Sequence, residues 1–147
     1  MTKVRDLLDK KGSGVVAVAR GDSVLRAAQI MNENRIGSVV VTEGDSVVGI
    51  FTERDILIRV VAAQRDPERV AVEEVMTSPV ACCRLDTSLS ECRGVITERR
   101  IRHLPVVEEG HLVGIITSGD LIAIEMAEKQ RTIEDLHEYI FGPSRVR

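Results

Sequence analysis

Two segments of the chain place a hydroxyl and a carboxylate three residues apart: Thr52-Glu53-Arg54-Asp55 and Thr117-Ser118-Gly119-Asp120. Each follows a glycine and two apolar residues, Gly49-Ile50-Phe51 and Gly114-Ile115-Ile116. Two chemistries fit this pattern. A threonine followed three residues later by an acid is a helix capping box, although Asp reaches back less well than Glu. The same location also suits a ligand. A strand running straight into a helix leaves backbone N–H groups pointing outward, which favours anions such as phosphate. A hydroxyl and a carboxylate one turn apart on that edge could hold a phosphate and a ribose diol together. The residues alone leave both readings open, and Thr52 and Thr117 are suited to both.

The motif recurs because most of the chain recurs. At a spacing of 65 residues, Val15 meets Val80, Ser23 meets Ser88, Arg35-Ile36 meets Arg100-Ile101, Val41 meets Val106 and Val48 meets Val113. No gap is needed between Ser13–Leu57 and Ser78–Ile122, which share roughly 13 identities over about 45 positions.

The elements that must position these groups follow the same duplication. In the first copy Val15–Val18 reads as a strand. Asp22 or Ser23 caps a helix to about Asn34, with Val24, Ala27, Ala28 and Met31 as its apolar stripe and Gly37 as a stop. Val39–Thr42 and Ser46–Phe51 read as a hairpin turning at Glu43-Gly44-Asp45, and a second helix runs from Glu53 to about Gln64. In the second copy the strand is Pro79–Cys83, and the helix Leu89–Arg99 is capped by Thr87 or Ser88. The hairpin is Leu104–Val107 with Leu112–Ile116, and the last helix is Ser118–Lys129. The expected fold class is α/β (α+β), two pseudo-symmetric repeats of strand-helix-strand-strand-helix. The expected divisions are an N-terminal helix (1–12), repeat 1 (13–66), a linker (67–74), repeat 2 (75–129), and a C-terminal helix and tail (130–147). The latter helix starts near Thr132 and ends at Gly142-Pro143. Short terminal helices are marginal alone in water, so both are expected to pack on the repeats or on another subunit.

Bulk properties exclude several functions. At 147 residues with 44% hydrophobic content the chain is one ordinary domain or two small units sharing a core. A net charge of -3 gives no general pull toward nucleic acid, and three aromatic residues offer no stacking platform. No apolar run reaches the ~20 residues of a membrane span, and the N-terminus lacks a secretory h-region, so a cytoplasmic location is expected. Cys82, Cys83 and Cys92 have no metal-like spacing and read as small hydrophobes in a reducing compartment. His111 reads as a solvated turn residue and His137 as an exposed helix position. No nucleophile–base pair or metal cluster is evident, and the expectation is a binding protein without a metal or required cofactor, not an enzyme.

Taken together, the two Gly-to-Asp segments, the repeat order and Arg100-Ile101-Arg102-His103-Leu104-Pro105-Val106-Val107 resemble a tandem pair of cystathionine β-synthase (CBS) domains, a Bateman module, over roughly residues 4 to 127. The chain is similar to the stand-alone bacterial type. The resemblance implies an adenosyl ligand in the cleft between repeats: AMP, ADP, ATP, NAD(H) or S-adenosylmethionine. It implies that the motif Asp takes the ribose hydroxyls and that Thr contacts phosphate or ribose. Carried over, Thr52 and Asp55 would face Val80, Ala81, Ile101, Arg102 and His103. Thr117 and Asp120 would face Val15, Val16, Ile36, Gly37 and Ser38. The resemblance further implies a homodimer through the helices at Glu53–Gln64 and Ser118–Lys129, and an effector protein that receives the signal. An adaptor with vestigial sites is the alternative.

Charge separates the two sites. Arg54 and Arg102 can give bidentate bonds to phosphate in the first. Gly119 and Gly37-Ser38 stand at the matching positions of the second, whose phosphate end therefore reads as nearly uncharged. Pro is the family's preference in the strand Gly37-Ser38-Val39-Val40, and its absence there marks a further difference. The first site is expected to take the more highly charged nucleotide.

Overall fold

A computed structural model describes residues 2–142. It has the expected α+β class, with helix α1 (Val4–Lys11) ahead of the first hairpin unit. In that unit β1 (Ala17–Ala19), α2 (Val24–Asn34), β2 (Ser38–Glu43) and β3 (Ser46–Thr52) lead into α3 (Glu53–Asp55), which continues as a π-helical run, Ile56–Val61. After α4 (Val72–Val75) come α5 (Leu89–Arg99), β4 (His103–Glu108), β5 (His111–Thr117) and α6 (Ser118–Phe141). β1 pairs parallel with β2, and β2 antiparallel with β3; β4 and β5 form a separate antiparallel pair. The duplication extends to irregularities. Register shifts fall at Val41/Thr42 and at Val106/Val107, 65 residues apart.

Several expected boundaries differ. Pro79–Cys83 forms no strand; only Cys83 bridges to Val106, its amide donating to Pro105 O at 2.9 Å. The helix expected to reach Gln64 stops at Val61 and is mostly π-helical: the amides of Ala62 and Arg65 reach back five residues to Leu57 O and Val60 O. α2 ends at Asn34 as expected, with the turn out of it made at Arg35, whose φ of 53° is left-handed, rather than at Gly37. Arg100, its counterpart, repeats this at φ 54° after α5. The last two expected helices are one helix of 24 residues, since nothing between Lys129 and Thr132 breaks it. Pro143, expected to close it, lies outside the described residues.

Each repeat buries one core, and each core borrows a helix. Val70, Val72 and Val75, from the stretch read as a linker and its end, lie in the first core with Val18, Val24, Met31, Val39, Val41 and Phe51. Val4, Leu7 and Leu8 of α1 lie in the second core with Leu89, Cys92, Leu104 and Ile116. α1 and α4 are equivalent: Lys3 bridges to Ser88 and Ala71 to Ser23, which are themselves duplicates. The two helices therefore dock on opposite cores, α1 crossing from before repeat 1 onto repeat 2. This explains the glycine of each motif. A Cβ on Gly114 would stand 2.7 Å from Leu8 Cδ1, and one on Gly49 would run into Met76 and stand 3.0 Å from Thr77 O.

Candidate functional site

Both threonines cap helices as the spacing predicts. Thr52 Oγ1 accepts from the Asp55 amide at 3.2 Å, while the Thr52 amide donates to Asp55 Oδ2 at 3.0 Å. Thr117 and Asp120 repeat this at 3.0 and 2.9 Å, so aspartate closes the box despite its shorter reach. The amide edge expected to face an anion is partly used. The Glu53 amide donates to Gly37 O and that of Ser118 to Arg102 O, so two of the first three amides of each helix have partners.

Between the repeats lies a cleft of about 830 Å³. It collects Thr52 and Arg54 from one repeat, and Val80, Ala81, Ile101, Arg102 and His103 from the other, as expected for the first site. Ile50, Glu53, Thr77, Pro79, Arg99 and Arg100 also line it, none of which was among the expected site residues. Gly37, expected to face Asp120, lines this cleft too, with the Glu53 carboxylate lying over it.

Asp55 stands behind the wall. It is 6% exposed, and its carboxylate accepts from the Thr77 hydroxyl at 3.1 and 3.3 Å as well as from Thr52. Arg59 comes within 3.9 Å and donates to the carbonyls of Val75 and Met76, tying Asp55 to the end of α4. The cleft charge is net positive, with Glu53 as the one carboxylate residue in its lining. Arg54, Arg99, Arg100 and Arg102 line it, and among the described residues none of the four is in an ion pair. His103 is half-buried; burial, then Arg102 and Lys11, hold its pKa below the ordinary imidazole value against the opposing pull of Asp120. It is therefore a neutral donor–acceptor at neutral pH.

The second group is arranged differently. Val16 and Ile36 pack against the first core, Val15 is half-buried, and Ser38 is buried at the start of β2. A cation that the sequence reading did not place stands at this site's aspartate. Lys11 Nζ lies 2.6 Å from Asp120 Oδ2 and donates to Ile115 O at 2.9 Å. Burial pushes the Asp120 carboxyl up, but the bonds from Lys11 and the Thr117 amide outweigh it, and the pKa is lowered. Lys11 lies 109 residues from its partner, so spacing gave no signal for it.

The remaining candidates are structural. His111 is exposed and paired with Asp45 at 3.0 Å, joining the two hairpin tips rather than standing free in solvent. His137 is exposed beside Phe141. The three cysteines are free, and the bond to Cys92 together with burial raises the Cys83 thiol well above its ordinary value. Among the described residues no cluster of His, Cys, Asp and Glu could hold a metal ion, and no helix is long and apolar enough to cross a membrane.

Comparison with known proteins matches this arrangement. A family model for the CBS domain matches twice, at residues 4–62 and 72–126, so its units begin at α1 and at α4. An uncharacterised protein of Methanopyrus kandleri, MK0525, is 35% identical over 113 residues, covering 76% of this chain and 58% of that protein. The chain thus spans less than two thirds of that relative's length. Among solved structures, one described as a signal-transduction protein with CBS domains from Burkholderia ambifaria MC40-6 is 38% identical, with a TM-score of 0.81 over 88% of this chain and 97% of the other. The CBS domain pair of protein MJ0100, solved in complex with 5'-methylthioadenosine and S-adenosyl-L-methionine, is 26% identical, with a TM-score of 0.75 over 87% and 98%.

Proposed function

The chain belongs to the CBS-domain family, and from that premise we propose that it is a regulatory module whose inter-repeat cleft binds an adenine nucleotide, AMP, ADP or ATP. The observation that carries this reading is the set of four arginines lining one cleft against a single carboxylate, Glu53, with none of the four in an ion pair among the described residues. Gathering like charges costs free energy unless an anion neutralises them. The bound adenosyl compounds of MJ0100 support the nucleoside half of the ligand. The cationic wall favours a phosphate-bearing ligand, NAD(H) included, over S-adenosylmethionine, whose sulfonium it would repel.

Thr52 and Arg54 would meet phosphate with Arg102, and Ile101, Val80 and Ala81 would line the adenine. Asp55 would receive the ribose once the Thr77 hydroxyl turns away. Binding bridges the repeats and shifts their relative orientation only by its differential affinity for the two arrangements.

Leu57, Ile58, Val61, Ile122 and Met126 are more than half exposed on the helices that follow the two motifs. Such a patch fits a second copy of the chain, and a homodimer is part of this reading. An effector protein would receive the signal. Free thiols throughout fit a reducing compartment, and the cytoplasm is the proposed location.

The test is calorimetry with AMP, ADP, ATP, NAD(H), S-adenosylmethionine and adenosine. Replacing Arg102 by alanine should weaken AMP about tenfold, the value of one charged hydrogen bond, and leave adenosine nearly unchanged. Equal losses for both would refute the phosphate assignment. The adaptor reading draws on Asp55 being satisfied internally, and it predicts no thermal shift with any of these compounds.

A further inference from the structure

The two motif aspartates hold different partners, and the partners come from equivalent places. In repeat 1 the Asp55 carboxylate accepts from the Thr77 hydroxyl at 3.1 Å, while Ile50 O accepts from the Thr77 amide at 2.8 Å. In repeat 2 the Asp120 carboxylate accepts from Lys11 Nζ at 2.6 Å, and Ile115 O accepts from the same ammonium at 2.9 Å. Ile50 and Ile115 are duplicates, as are Asp55 and Asp120. Thr77 and Lys11 each come from the end of the helix docked on the motif glycine, α4 and α1 respectively. In one copy the carboxylate is thus engaged by a neutral hydroxyl and the carbonyl by the amide of the same residue; in the other a single ammonium on a long side chain engages both.

We infer that Lys11 is a tethered cation that closes the second site, competing with the ribose of an adenosyl ligand for Asp120. The inference rests on the proposed role of the motif aspartate in ribose binding. A hydroxyl rotates aside and leaves the carboxylate charged and available. An ammonium neutralises it and occupies the space its lone pairs face. The pair is well placed to persist, since the two side chains are only 27% and 22% exposed and Nζ has a second acceptor. It is also built to release. Lys11 is the last residue of α1 and is followed by Gly12-Ser13-Gly14, where a Cβ on either glycine would touch nothing within 4 Å. Ligand entry at the second site therefore requires the Lys11 ammonium to leave Asp120, and so removes one contact that holds the end of α1 to repeat 2.

The test uses the full chain with Lys11→Met, which keeps the aliphatic stem and removes the charge. Calorimetry with AMP is run on wild type, Lys11→Met, Asp120→Ala and the double variant. The weaker of two binding events should tighten by about fivefold or more in Lys11→Met and vanish in both variants lacking Asp120. An unchanged or weakened second event in Lys11→Met would overturn the inference, a weakened one because Lys11 would then be a phosphate ligand. The first event tests the underlying reading separately: if it is absent from wild type and Asp120→Ala alike, the adenosyl reading of the cleft fails. A tightened second event would still uphold Lys11 in that case, and its absence would sink both. NMR titration gives a ligand-free check, since the Asp120 carboxyl should titrate at higher pH in Lys11→Met; an unmoved titration would also overturn the inference.

Discussion

Replacing Gly49 by alanine should destabilise the protein through a contact that lies outside the cleft. The new Cβ would collide with the Met76 thioether and stand 3.0 Å from Thr77 O. Met76 is flexible and can turn. Thr77 O cannot move freely, because it accepts from the Ile50 amide at 3.0 Å while the Thr77 amide donates to Ile50 O at 2.8 Å. Overpacking against a fixed group costs about 1–3 kcal/mol, and alanine in a strand recovers about 0.5–1 kcal/mol over glycine. The net loss is at most about 2.5 kcal/mol and centres near about 1 kcal/mol, which for a chain of this size is a fall in Tm of about 2–4 °C. Gly114→Ala meets only the Leu8 side chain and should cost less. Adding Met76→Ala to Gly49→Ala should fail to restore its partner, since the carbonyl remains. Thermal and urea unfolding measure all of these. If Gly49→Ala melts at or above the wild-type temperature, the glycine is not there for helix docking, and a direct ligand role for its bare backbone becomes the better account.

His103 predicts a pH dependence. Its folded pKa is depressed below the unfolded value of 6.5, so the folded state binds fewer protons between the two. Its contribution to stability is present above 6.5 and is lost as pH falls from 6.5 through the folded pKa. His103→Gln should flatten the urea midpoint in that window; an unaltered slope would refute the assignment. The exposed patch predicts that a double substitution, Leu57→Asp with Ile122→Asp, yields a monomer by light scattering while the wild type is a dimer. A monomeric wild type would remove the homodimer from the reading.

What the sequence made legible is what local patterning controls. Ser23 and Ser88 cap their helices because a hydroxyl before an apolar stripe satisfies an orphan amide, and both are found doing so at 3.0 and 3.1 Å. The hairpins fell where β-branched runs flank Gly44 and Gly110. The cleft residues Thr52, Arg54, Ile101, Arg102 and His103 were legible from the motifs and converge as expected. What was not legible depends on tertiary context. Pro79–Cys83 has strand composition, yet only Cys83 finds a ladder partner. The charged surroundings of Val70 and Val72 disguised them as linker because only their apolar alternation faces the first core. Thr77 and Lys11 were missed because nothing in their own segments marks them; each matters through a partner brought close by a helix docking on a distant glycine.

That docking interlocks the two copies. If each repeat were closed by its own preceding helix, the units would be separable, and a ligand in one would have no route to the other. Instead α1 lies on repeat 2 and α4 on repeat 1. A residue at or just beyond the end of each helix, Lys11 or Thr77, touches the aspartate of the motif it covers. Any ligand that engages Asp55 must displace Thr77, which precedes the cleft residues Pro79, Val80 and Ala81. By the inference above, a ligand that engages Asp120 would displace Lys11, which precedes the segment leading into Val15 and Val16. Each aspartate is therefore connected to the chain that enters the opposite repeat. Under the proposed function, two copies of one motif would in this way report to one another while differing in charge, the first facing arginines and the second holding a lysine of its own.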